Sequence, residues 1–395
     1  MTEMERYQSI SLEDFKPMLQ TCIQCYCGLC IEGCPVYRTT LNEAYTARGL
    51  HQIALALLEG QLTVSELSDL LIYSCTGCRW CEWNCSLNRI RYIQEHGNRL
   101  NKVSGATVAE ILRAIKVESG NVPPIVRDLL NNIRKFGNPY GISRSRKDKW
   151  VEELKLKCDG CDTILYVGTL VPFENRATSA ANALIELLKR GGLKFCMLGG
   201  EELESGFFAR ACGEEGLFTE LVERVSRVFK ENKIKRIICF SPHDYDTFKN
   251  YYNLGDIEIQ HYTQVLWKLI EAELIRPTKE IRGKVVYHDP CYLGRRQGVY
   301  EEPRKILKSI PGLELVEVRE WRRERSWCCG GGGVGLFYDV GLNMNLIRAD
   351  QIKETGAELV AVACPICRQM IDDAMKSRGY KIKVMDIAEI VYSTL

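Results

Sequence analysis

The stretch Glu358-Leu-Val-Ala-Val-Ala-Cys364-Pro365-Ile366-Cys367 joins a short apolar run to a closely spaced pair of cysteines. A run of this length that ends at a turn signal is typical of a strand buried on both faces of a parallel sheet. Open parallel sheets place their sites in the crevice beyond the carboxyl ends of the strands. The sequence therefore predicts that the thiols of Cys364 and Cys367 lie at a functional edge of such a sheet.

Three more cysteines in the C-terminal part fit the same edge. Cys291 follows the strand-like run Lys284–Tyr287, and the adjacent Cys328 and Cys329 lie on the loop after Glu314–Val318. A tetrahedral zinc ion takes four ligands, and adjacent cysteines rarely bridge each other. Five convergent thiolates instead favour an iron–sulfur centre, because thiolate ligands select soft metals and clusters.

The chain from about residue 151 alternates strand-like runs with helical segments, which predicts α/β units around parallel sheets. The runs form two sets offset by roughly 120 residues, which indicates an internal repeat. The first set consists of Thr163–Val167, Lys194–Leu198 and Arg236–Phe240. Where the second set carries its cysteines, the first carries Thr169, Gly199-Gly200 and Ser241-Pro242-His243-Asp244. We therefore expect the first copy to keep the fold without binding a cluster.

The N-terminal part contains two further cysteine runs. Cys75, Cys78, Cys81 and Cys85 have the C-x2-C-x2-C-x3-C spacing of a cubane [4Fe-4S] cluster, with Ser86 in place of the usual trailing proline. The upstream run consists of Cys22, Cys25, Cys27, Cys30 and Cys34, the last followed by Pro35. In two-cluster ferredoxins the fourth cysteine of each run serves the other cluster. This rule assigns Cys34 to the downstream site and Cys85 to the upstream site.

The upstream run has one cysteine more than a cluster needs, because two residues are inserted before Cys30. Either Cys25 or Cys27 completes a ligand set with Cys22 and Cys30, and one of the two is surplus. Of the two choices, Cys27 gives the turn Cys27-Gly28-Leu29-Cys30, which is closer to the tight turn that cluster motifs usually have. A plant-type [2Fe-2S] site with the spacing Cys22-x4-Cys27-x2-Cys30 is an alternative, although it leaves Cys34 without a role.

The N-terminal cluster loops lie between amphipathic helical segments. A capping box at Thr63–Glu66 marks one helix start, and Gly60 ends a helix that is predicted from about Leu41. This order predicts an α-helical ferredoxin domain rather than a two-stranded bacterial one. A further helix over Ile125–Phe136 stops at Gly137, where glycines and a proline break the pattern.

The chain has 395 residues, 19 cysteines and a formal net charge of +2, and its first residues lack the pattern of a signal peptide. Disulfide-rich secreted domains are short, so we expect these thiols to stay reduced or to bind metal in an anaerobic cytoplasm. The balanced charge gives no argument for nucleic-acid binding. No apolar stretch approaches the ~20 residues of a membrane helix. Any membrane association is therefore expected to depend on a partner subunit.

The spacing C-x36-CC-x34-C-x2-C of the five C-terminal cysteines resembles the CCG signature of heterodisulfide reductase and its relatives, which holds a non-cubane [4Fe-4S] cluster. Nearly the whole chain resembles the iron–sulfur proteins that are similar to the D-type subunit of heterodisulfide reductase. The resemblance implies an α+β multidomain fold. Its parts are an α-helical ferredoxin domain with two [4Fe-4S] clusters (1–115), a helical connector (116–150), a degenerate α/β CCG module (151–275) and a CCG module with its cluster (276–395).

This resemblance also implies an oxidoreductase subunit of a multi-subunit anaerobic redox complex. Electrons would pass through two cubane clusters to or from one non-cubane cluster. The implied partners are a flavoprotein, a ferredoxin-like protein or a membrane protein that reacts with quinone. Two alternatives stay open: a catalytic disulfide reductase subunit, and a protein whose CCG cluster is structural or a sensor. Heterodisulfide reductases usually carry two full CCG motifs and this chain has one, which favours electron transfer.

Other cysteines and glycines have competing interpretations. A further metal site formed by Cys158, Cys161, Cys196, Cys212 and Cys239 competes with the view that these are core residues. The pattern Gly330-x-Gly332-x-x-Gly335 fits the dinucleotide fingerprint, but it follows a cysteine pair rather than a strand. We expect these glycines to let the backbone approach a cluster closely.

Charged residues and histidines near the CCG cysteines give two further expectations. The basic segments Arg295-Arg296 and Arg322–Arg325 are candidates to attract an anionic substrate or partner. His243 and His288 are both expected to be structural residues rather than ligands, and His288, three residues before Cys291, is the better candidate for a position beside the cluster.

Overall fold

The computed structural model describes residues 12–90 and 102–395. The chain divides into two compact units, which we call the helical unit and the sheet unit. The helical unit combines the N-terminal part up to Leu130 with Phe208–Phe218 and Gly330–Met344. The sheet unit combines Asn131–Phe207, Thr219–Cys329 and Asn345–Leu395.

The described residues of the helical unit form helices and no strand. Its α-helices cover Lys16–Ile23, Leu29–Glu32, Pro35–Thr40, Ala47–Leu58, Asp69–Tyr73, Trp80–Trp83, Gly105–Glu118, the first part of Pro124–Phe136 and most of Phe207–Cys212. Short 3₁₀ helices cover Leu12–Phe15, Glu43–Tyr45 and Val64–Glu66. The predicted order of helices and cluster loops is therefore confirmed for the described residues.

The helix predicted from about Leu41 to Gly60 is shorter than expected. Leu41 has a positive φ of 52° and ends the helix Pro35–Thr40. The next helix begins only at Ala47, because the side chain of Thr46 accepts a hydrogen bond from a backbone amide of its first turn. Gly60 follows the last turn with a φ of 68°, as a helix stop requires.

Two other helix signals are confirmed. The Thr63 amide donates to the Glu66 carboxylate at 2.8 Å, which is half of the predicted capping box, although the helix that follows is a single 3₁₀ turn. The helix Pro124–Phe136 ends at Gly137, whose φ is 70°.

The sheet unit contains two parallel sheets. The first has the order β1-β2-β3, with β1 Thr163–Tyr166, β2 Arg236–Cys239 and β3 Glu258–His261. The second has the order β5-β4-β6-β7, with β4 Gly283–Tyr287, β5 Leu313–Val316, β6 Leu359–Val362 and β7 Lys383–Asp386. Its helices cover Ser145–Glu153, Asn175–Arg190, Glu215–Glu231, Pro242–Tyr251, Tyr262–Glu271, Glu301–Lys308, Met344–Lys353, Pro365–Ser377 and Ile387–Tyr392, with 3₁₀ turns at Gly199–Glu201 and Arg323–Arg325.

The two sheets share one strand order. Cys196 pairs with Ile164 of β1 through a parallel bridge, on the side of β1 away from β2. The segment around Cys196 therefore occupies the place that β5 holds beside β4 in the second sheet. The predicted parallel sheets are therefore present, while their assignment to two CCG-like modules stays a prediction.

The sequence did not predict the edge strands β3 and β7. Both are exposed at their first residue and buried at their last, Glu258–His261 and Lys383–Asp386. Such mixed runs lack the continuous apolar pattern that marks the central strands.

Candidate iron–sulfur centres

The downstream thiols come from both N-terminal cysteine runs. Burial raises the pKa of Cys75 to about 11, and charge on Cys78 adds to the rise. Burial also raises the pKa of Cys34 and of Cys81, and charge on Cys75 and Cys78 raises both further. Neighbouring thiolates repel one another, and a bound cationic metal centre would remove that repulsion. The structure thus places Cys34 at the downstream run, as crossed ligation requires.

Arg113 lies beside the downstream thiols and is only 2% exposed. Its guanidinium donates to the carbonyl oxygens of Ile72 at 2.8 Å, Cys75 at 2.7 Å and Ala211 at 2.8 Å. Its charge opposes the rise in the pKa of Cys75. No sequence pattern indicates this role, because the carbonyl groups that Arg113 reaches lie 38 to 98 residues away along the chain.

The upstream thiols line one small cavity of about 20 Å³. The cysteines on its wall are Cys22, Cys25, Cys27, Cys30 and Cys85. Burial raises the pKa of Cys22 to about 12, and charges on Cys30 and Cys85 raise it further. Cys85 therefore lies with the upstream run, which is the second half of the crossed arrangement.

Both candidates for the surplus cysteine lie at this cavity. The sulfur atoms of Cys25 and Cys27 are 3.3 Å apart, and the Ser86 hydroxyl donates to the Cys27 sulfur at 3.3 Å. Burial opposes a low pKa at Cys27, yet that pKa is lowered because Ser86, the Leu29 amide and Cys25 hydrogen-bond the sulfur. Ser86 thus supplies donors that the usual proline lacks.

Three thiols of the second copy meet at the carboxyl edge of the second sheet. Cys364 lies two residues after β6 and caps the helix Pro365–Ser377, where its sulfur accepts a hydrogen bond from the Cys367 amide at 3.4 Å. The sulfur atoms of Cys329 and Cys367 are 3.4 Å apart. Burial raises the pKa of Cys367, and the neighbouring sulfur atoms of Cys329 and Cys364 raise it further.

The other two predicted ligands of this set are also buried. Cys291, four residues beyond the end of β4, is 8% exposed, and Cys328, next to Cys329 in the chain, is 2% exposed. All five thiols of the CCG set are therefore withdrawn from solvent, as a cluster site demands.

His288 lies at this thiol group. One of its ring nitrogens is within 4.8 Å of the sulfur atoms of both Cys329 and Cys367. Its Nδ1 accepts a hydrogen bond from Nε of Arg348 at 3.1 Å. The expected position of His288 beside the set is therefore confirmed, whereas Arg348 was missed because it lies far from every motif in the sequence.

The first copy has no thiols at the corresponding positions. Ser241 lies two residues after β2 and caps the helix Pro242–Tyr251, where it accepts a hydrogen bond from the His243 amide at 3.3 Å. Asp244 is buried and accepts a hydrogen bond from the Ser205 hydroxyl at 2.6 Å. Burial raises the pKa of Asp244 to about 6. Hydroxyl and carboxyl groups therefore replace the thiols at this edge.

His243 of the first copy reaches the thiols of the second. Its Nδ1 is 3.8 Å from the sulfur of Cys364, and its ring packs at a tilt against Tyr292 with a centroid separation of 4.2 Å. Burial lowers the pKa of His243 to about 4. The expectation of a purely structural His243 is thus incomplete, since this residue belongs to the surroundings of the CCG thiols.

The remaining five cysteines have other roles than a shared metal site. Cys158 and Cys196 form a disulfide, with Cα atoms 4.8 Å apart. The expectation that every thiol stays reduced or binds metal is wrong for this pair. Cys161 donates to the Thr163 carbonyl at 3.5 Å, while Cys212 and Cys239 are buried.

The glycine run after Cys329 lies in turns and lacks the strand–turn–helix context of a dinucleotide site. Gly330 and Gly333 have positive φ values of 88° and 60°. A Cβ atom at Gly333 would lie 2.7 Å from the Cys75 carbonyl oxygen. The run therefore lets the backbone approach the downstream cysteine loop closely.

The basic residues near the CCG thiols have structural partners. Arg296 forms an ion pair with Asp246 at 2.9 Å, and both side chains are 1% exposed. Arg295 donates to the carbonyl oxygens of Glu324 and Ser326 at 2.9 and 2.7 Å. The expectation that Arg295-Arg296 attracts an anionic partner is wrong for Arg296, because a buried cation does not face solvent.

Two family models match parts of the chain. Residues 18–88 match the 4Fe-4S dicluster domain, and residues 285–372 match the cysteine-rich domain CCG. These ranges contain the two N-terminal cysteine runs and all five CCG thiols. The chain thus carries the two domain types of an iron–sulfur protein.

Curated relatives extend the similarity over almost the whole chain. The probable iron-sulfur-binding oxidoreductase FadF of Bacillus subtilis (strain 168) is 32% identical over 370 residues, which cover 89% of this chain and 50% of that protein. The EtfAB:quinone oxidoreductase of Syntrophomonas wolfei is 30% identical over 452 residues, which cover 100% of this chain and 61% of that protein. The chain therefore spans about half to three fifths of the length of these relatives.

A third relative has nearly the same length. The D-type subunit of the dihydromethanophenazine:CoB--CoM heterodisulfide reductase of Methanosarcina barkeri (strain Fusaro) is 27% identical over 414 residues, which cover 95% of this chain and 94% of that protein. The resemblance to the D-type subunit of heterodisulfide reductase is therefore confirmed, and the chain is related to iron–sulfur oxidoreductases. Among the described residues, no helix has the length and apolar character needed to cross a membrane.

Proposed function

We propose that this chain is an electron-transferring subunit of a redox complex, with two cubane [4Fe-4S] clusters and one non-cubane [4Fe-4S] cluster. We divide it into a ferredoxin domain (1–115), a connector (116–150), a degenerate CCG module (151–275) and a CCG module that binds its cluster (276–395). The observation that carries the proposal is the convergence of buried thiols, above all the 3.4 Å separation between the sulfur atoms of Cys329 and Cys367.

The donor sets fit the proposed groups. Cys34, Cys75, Cys78 and Cys81 form the downstream set, and Cys22, Cys30 and Cys85 with Cys25 or Cys27 form the upstream set. Cys291, Cys328, Cys329, Cys364 and Cys367 form the CCG set. Bound clusters supply one-electron redox chemistry, while the protein holds the thiolates and excludes water from them.

The relatives support partners for the chain. The name of one relative describes an oxidoreductase acting between EtfAB and quinone, and another is a heterodisulfide reductase subunit. We infer that a flavoprotein or another redox subunit exchanges electrons with this chain, and that any membrane contact is made through such a partner. Reduction of a disulfide is the second candidate function, favoured by the near-complete overlap with the heterodisulfide reductase subunit.

Anaerobic purification of the whole protein tests the proposal. We expect about 12 iron atoms per chain, reduction by dithionite, and no turnover with NADH or NADPH alone. Co-purifying proteins should include a redox subunit. Turnover of a disulfide substrate with a reduced dye would favour the second candidate function. An iron content near eight atoms per chain would mean that the chain binds no CCG cluster, which would contradict the proposal.

The upstream cavity offers a sharper test of its ligands. Because the sulfur atoms of Cys25 and Cys27 are 3.3 Å apart, either can complete the site when the other is removed. We therefore expect Cys25→Ala and Cys27→Ala to keep the iron content, and the double variant to lose about four iron atoms. Cys22→Ala is the matched control and should lose the same amount. If one single variant alone loses iron, that residue is the obligatory ligand.

A further inference from the structure

His288 and Arg348 form a buried pair at the CCG thiols that the ligand assignment leaves without a role. His288 follows β4 directly, and its amide donates to the Ala361 carbonyl at 3.0 Å. Its side chain is 1% exposed, and Arg348 is fully buried. Arg348 also donates to the Trp321 carbonyl at 2.9 Å and to Gln351 at 3.1 Å. These contacts fix Arg348 behind the imidazole.

The hydrogen bond between them determines the tautomer of His288. A guanidinium group has donors and no acceptor. Since Nε of Arg348 donates to Nδ1 of His288, that nitrogen must present its lone pair. A neutral imidazole then carries its proton on Nε2.

The same bond speaks against metal ligation by His288. A histidine that binds metal through one nitrogen usually donates the other N–H to an acceptor. Here Nδ1 is already occupied by a donor, and ligation through Nε2 would turn an Nδ1–H toward the Arg348 N–H. The proximity of His288 to Cys329 and Cys367 therefore needs a different explanation.

Two donors of the pair have no hydrogen-bond partner among the residues that the structure describes. They are Nε2 of His288 and Nη2 of Arg348, and both atoms are buried. Unpaired buried donors are costly, and a redox cofactor beside them is one way to satisfy them.

We propose that His288 donates its Nε2–H to a sulfur of the CCG cluster, and that Arg348 is the positioning residue that holds this tautomer and adds a buried positive charge. This inference rests on the proposed non-cubane cluster. Hydrogen bonds to cluster sulfur and nearby positive charge favour the more negatively charged, reduced state. The pair is therefore expected to raise the midpoint potential of this cluster.

Spectroscopy on the unmodified protein provides the first test. In the paramagnetic state of the CCG cluster, we expect a weak ¹⁴N coupling together with a proton coupling that disappears after exchange into D2O. A strong ¹⁴N coupling typical of a directly bound imidazole would overturn the proposal. Absence of any CCG cluster signal together with an iron content near eight would instead overturn the proposed function.

Variants at the same position provide the second test. His288→Gln keeps an acceptor toward Arg348 and a donor toward the thiols, whereas His288→Leu removes both. We expect the wild type and both variants to keep about 12 iron atoms per chain. The midpoint potential of the CCG cluster should be near the wild-type value in His288→Gln and lower in His288→Leu. Arg348→Met should lower it as well. Unchanged potential in His288→Leu with full iron would contradict the proposal, and the N-terminal cluster signals report on folding in each variant.

Discussion

The two α/β copies of the sheet unit use the same backbone device for different chemistry. In the first copy Ser241 follows β2 by two residues and caps the next helix, and in the second copy Cys364 follows β6 by two residues and does the same. Each cap is followed by a proline, Pro242 or Pro365. The capping role thus survives whether oxygen or sulfur fills it, while ligation requires the thiol.

The surroundings of the two caps differ more than the caps themselves. The second copy gathers the sulfur atoms of Cys329 and Cys367 around Cys364. The first copy buries Asp244 and Glu202 instead, with Lys147 donating to Glu202 at 2.8 Å. An edge lined by thiols and an edge lined by ionic side chains therefore occur on the same strand order. The fold supplies the location, and the side chains supply the chemistry.

The largest expected effect tests whether the cluster belongs to the second copy alone. Cys328→Ser should lower the iron content from about 12 to about eight atoms per chain and leave the N-terminal cluster signals intact. Ser241→Cys is the matched change in the first copy, and it should add no iron because the other four thiols are absent there. The comparison fails if the wild type binds about 16 iron atoms.

A second prediction compares the buried ion pairs of the two copies. Arg304 donates to both oxygens of Asp289 at 2.6 and 2.8 Å, and both residues are 2% exposed. Arg304→Met leaves the buried Asp289 carboxylate with one backbone donor, the Arg323 amide at 2.8 Å, and no cation, which costs roughly 3 to 5 kcal/mol. Lys147→Met should cost less, because Glu202 still accepts hydrogen bonds from the amides of Val167 and Gly168.

Thermal and denaturant unfolding of the anaerobic proteins measures this difference. Visible absorbance during the same experiments shows whether the clusters remain bound. If Lys147→Met proved as destabilising as Arg304→Met, the backbone amides at Glu202 would not be compensating for the lost cation.

The sequence predicted the parts of the fold that local patterns encode. The central strands β1, β2, β4 and β6 are continuous apolar runs, and each was identified in its place. The edge strands β3 and β7 were missed because polar residues interrupt them. The helix start at Ala47 was also misplaced, since the positive φ of Leu41 has no signature in a leucine side chain.

The candidate site shows the same division. Cysteine spacing indicated the thiol sets, because ligands of a cluster recur at fixed intervals along the chain. Arg113, Arg348 and the contact of His243 with Cys364 could not be predicted, because they depend on which distant backbone segments meet. The disulfide between Cys158 and Cys196 is a pairing of the same kind.

The smallest expected effect is a pH dependence confined to the ionic edge of the first copy. Burial is the main cause that raises the pKa of Asp244 from 3.8 to about 6, Glu202 adds to the rise, and Ser205, His243 and Lys147 oppose it. Between these pH values the folded protein holds a proton that the unfolded chain has released, so stability falls as pH rises through this window.

Asp244→Asn has no carboxyl group to titrate, so its stability does not fall with rising pH for this reason. We expect the melting temperature of the variant to gain on the wild type between about pH 4 and 6 and to keep a constant lead above that range. The corresponding free energy is at most about 3 kcal/mol. Ser205→Ala removes a hydrogen bond that stabilises the Asp244 carboxylate. This variant keeps Asp244, and we expect its loss of stability to occur at a higher pH than in the wild type. Parallel stability curves for Asp244→Asn and the wild type would show that Asp244 stays ionised, and the first copy would then hold a permanent charge where the second copy holds its thiols.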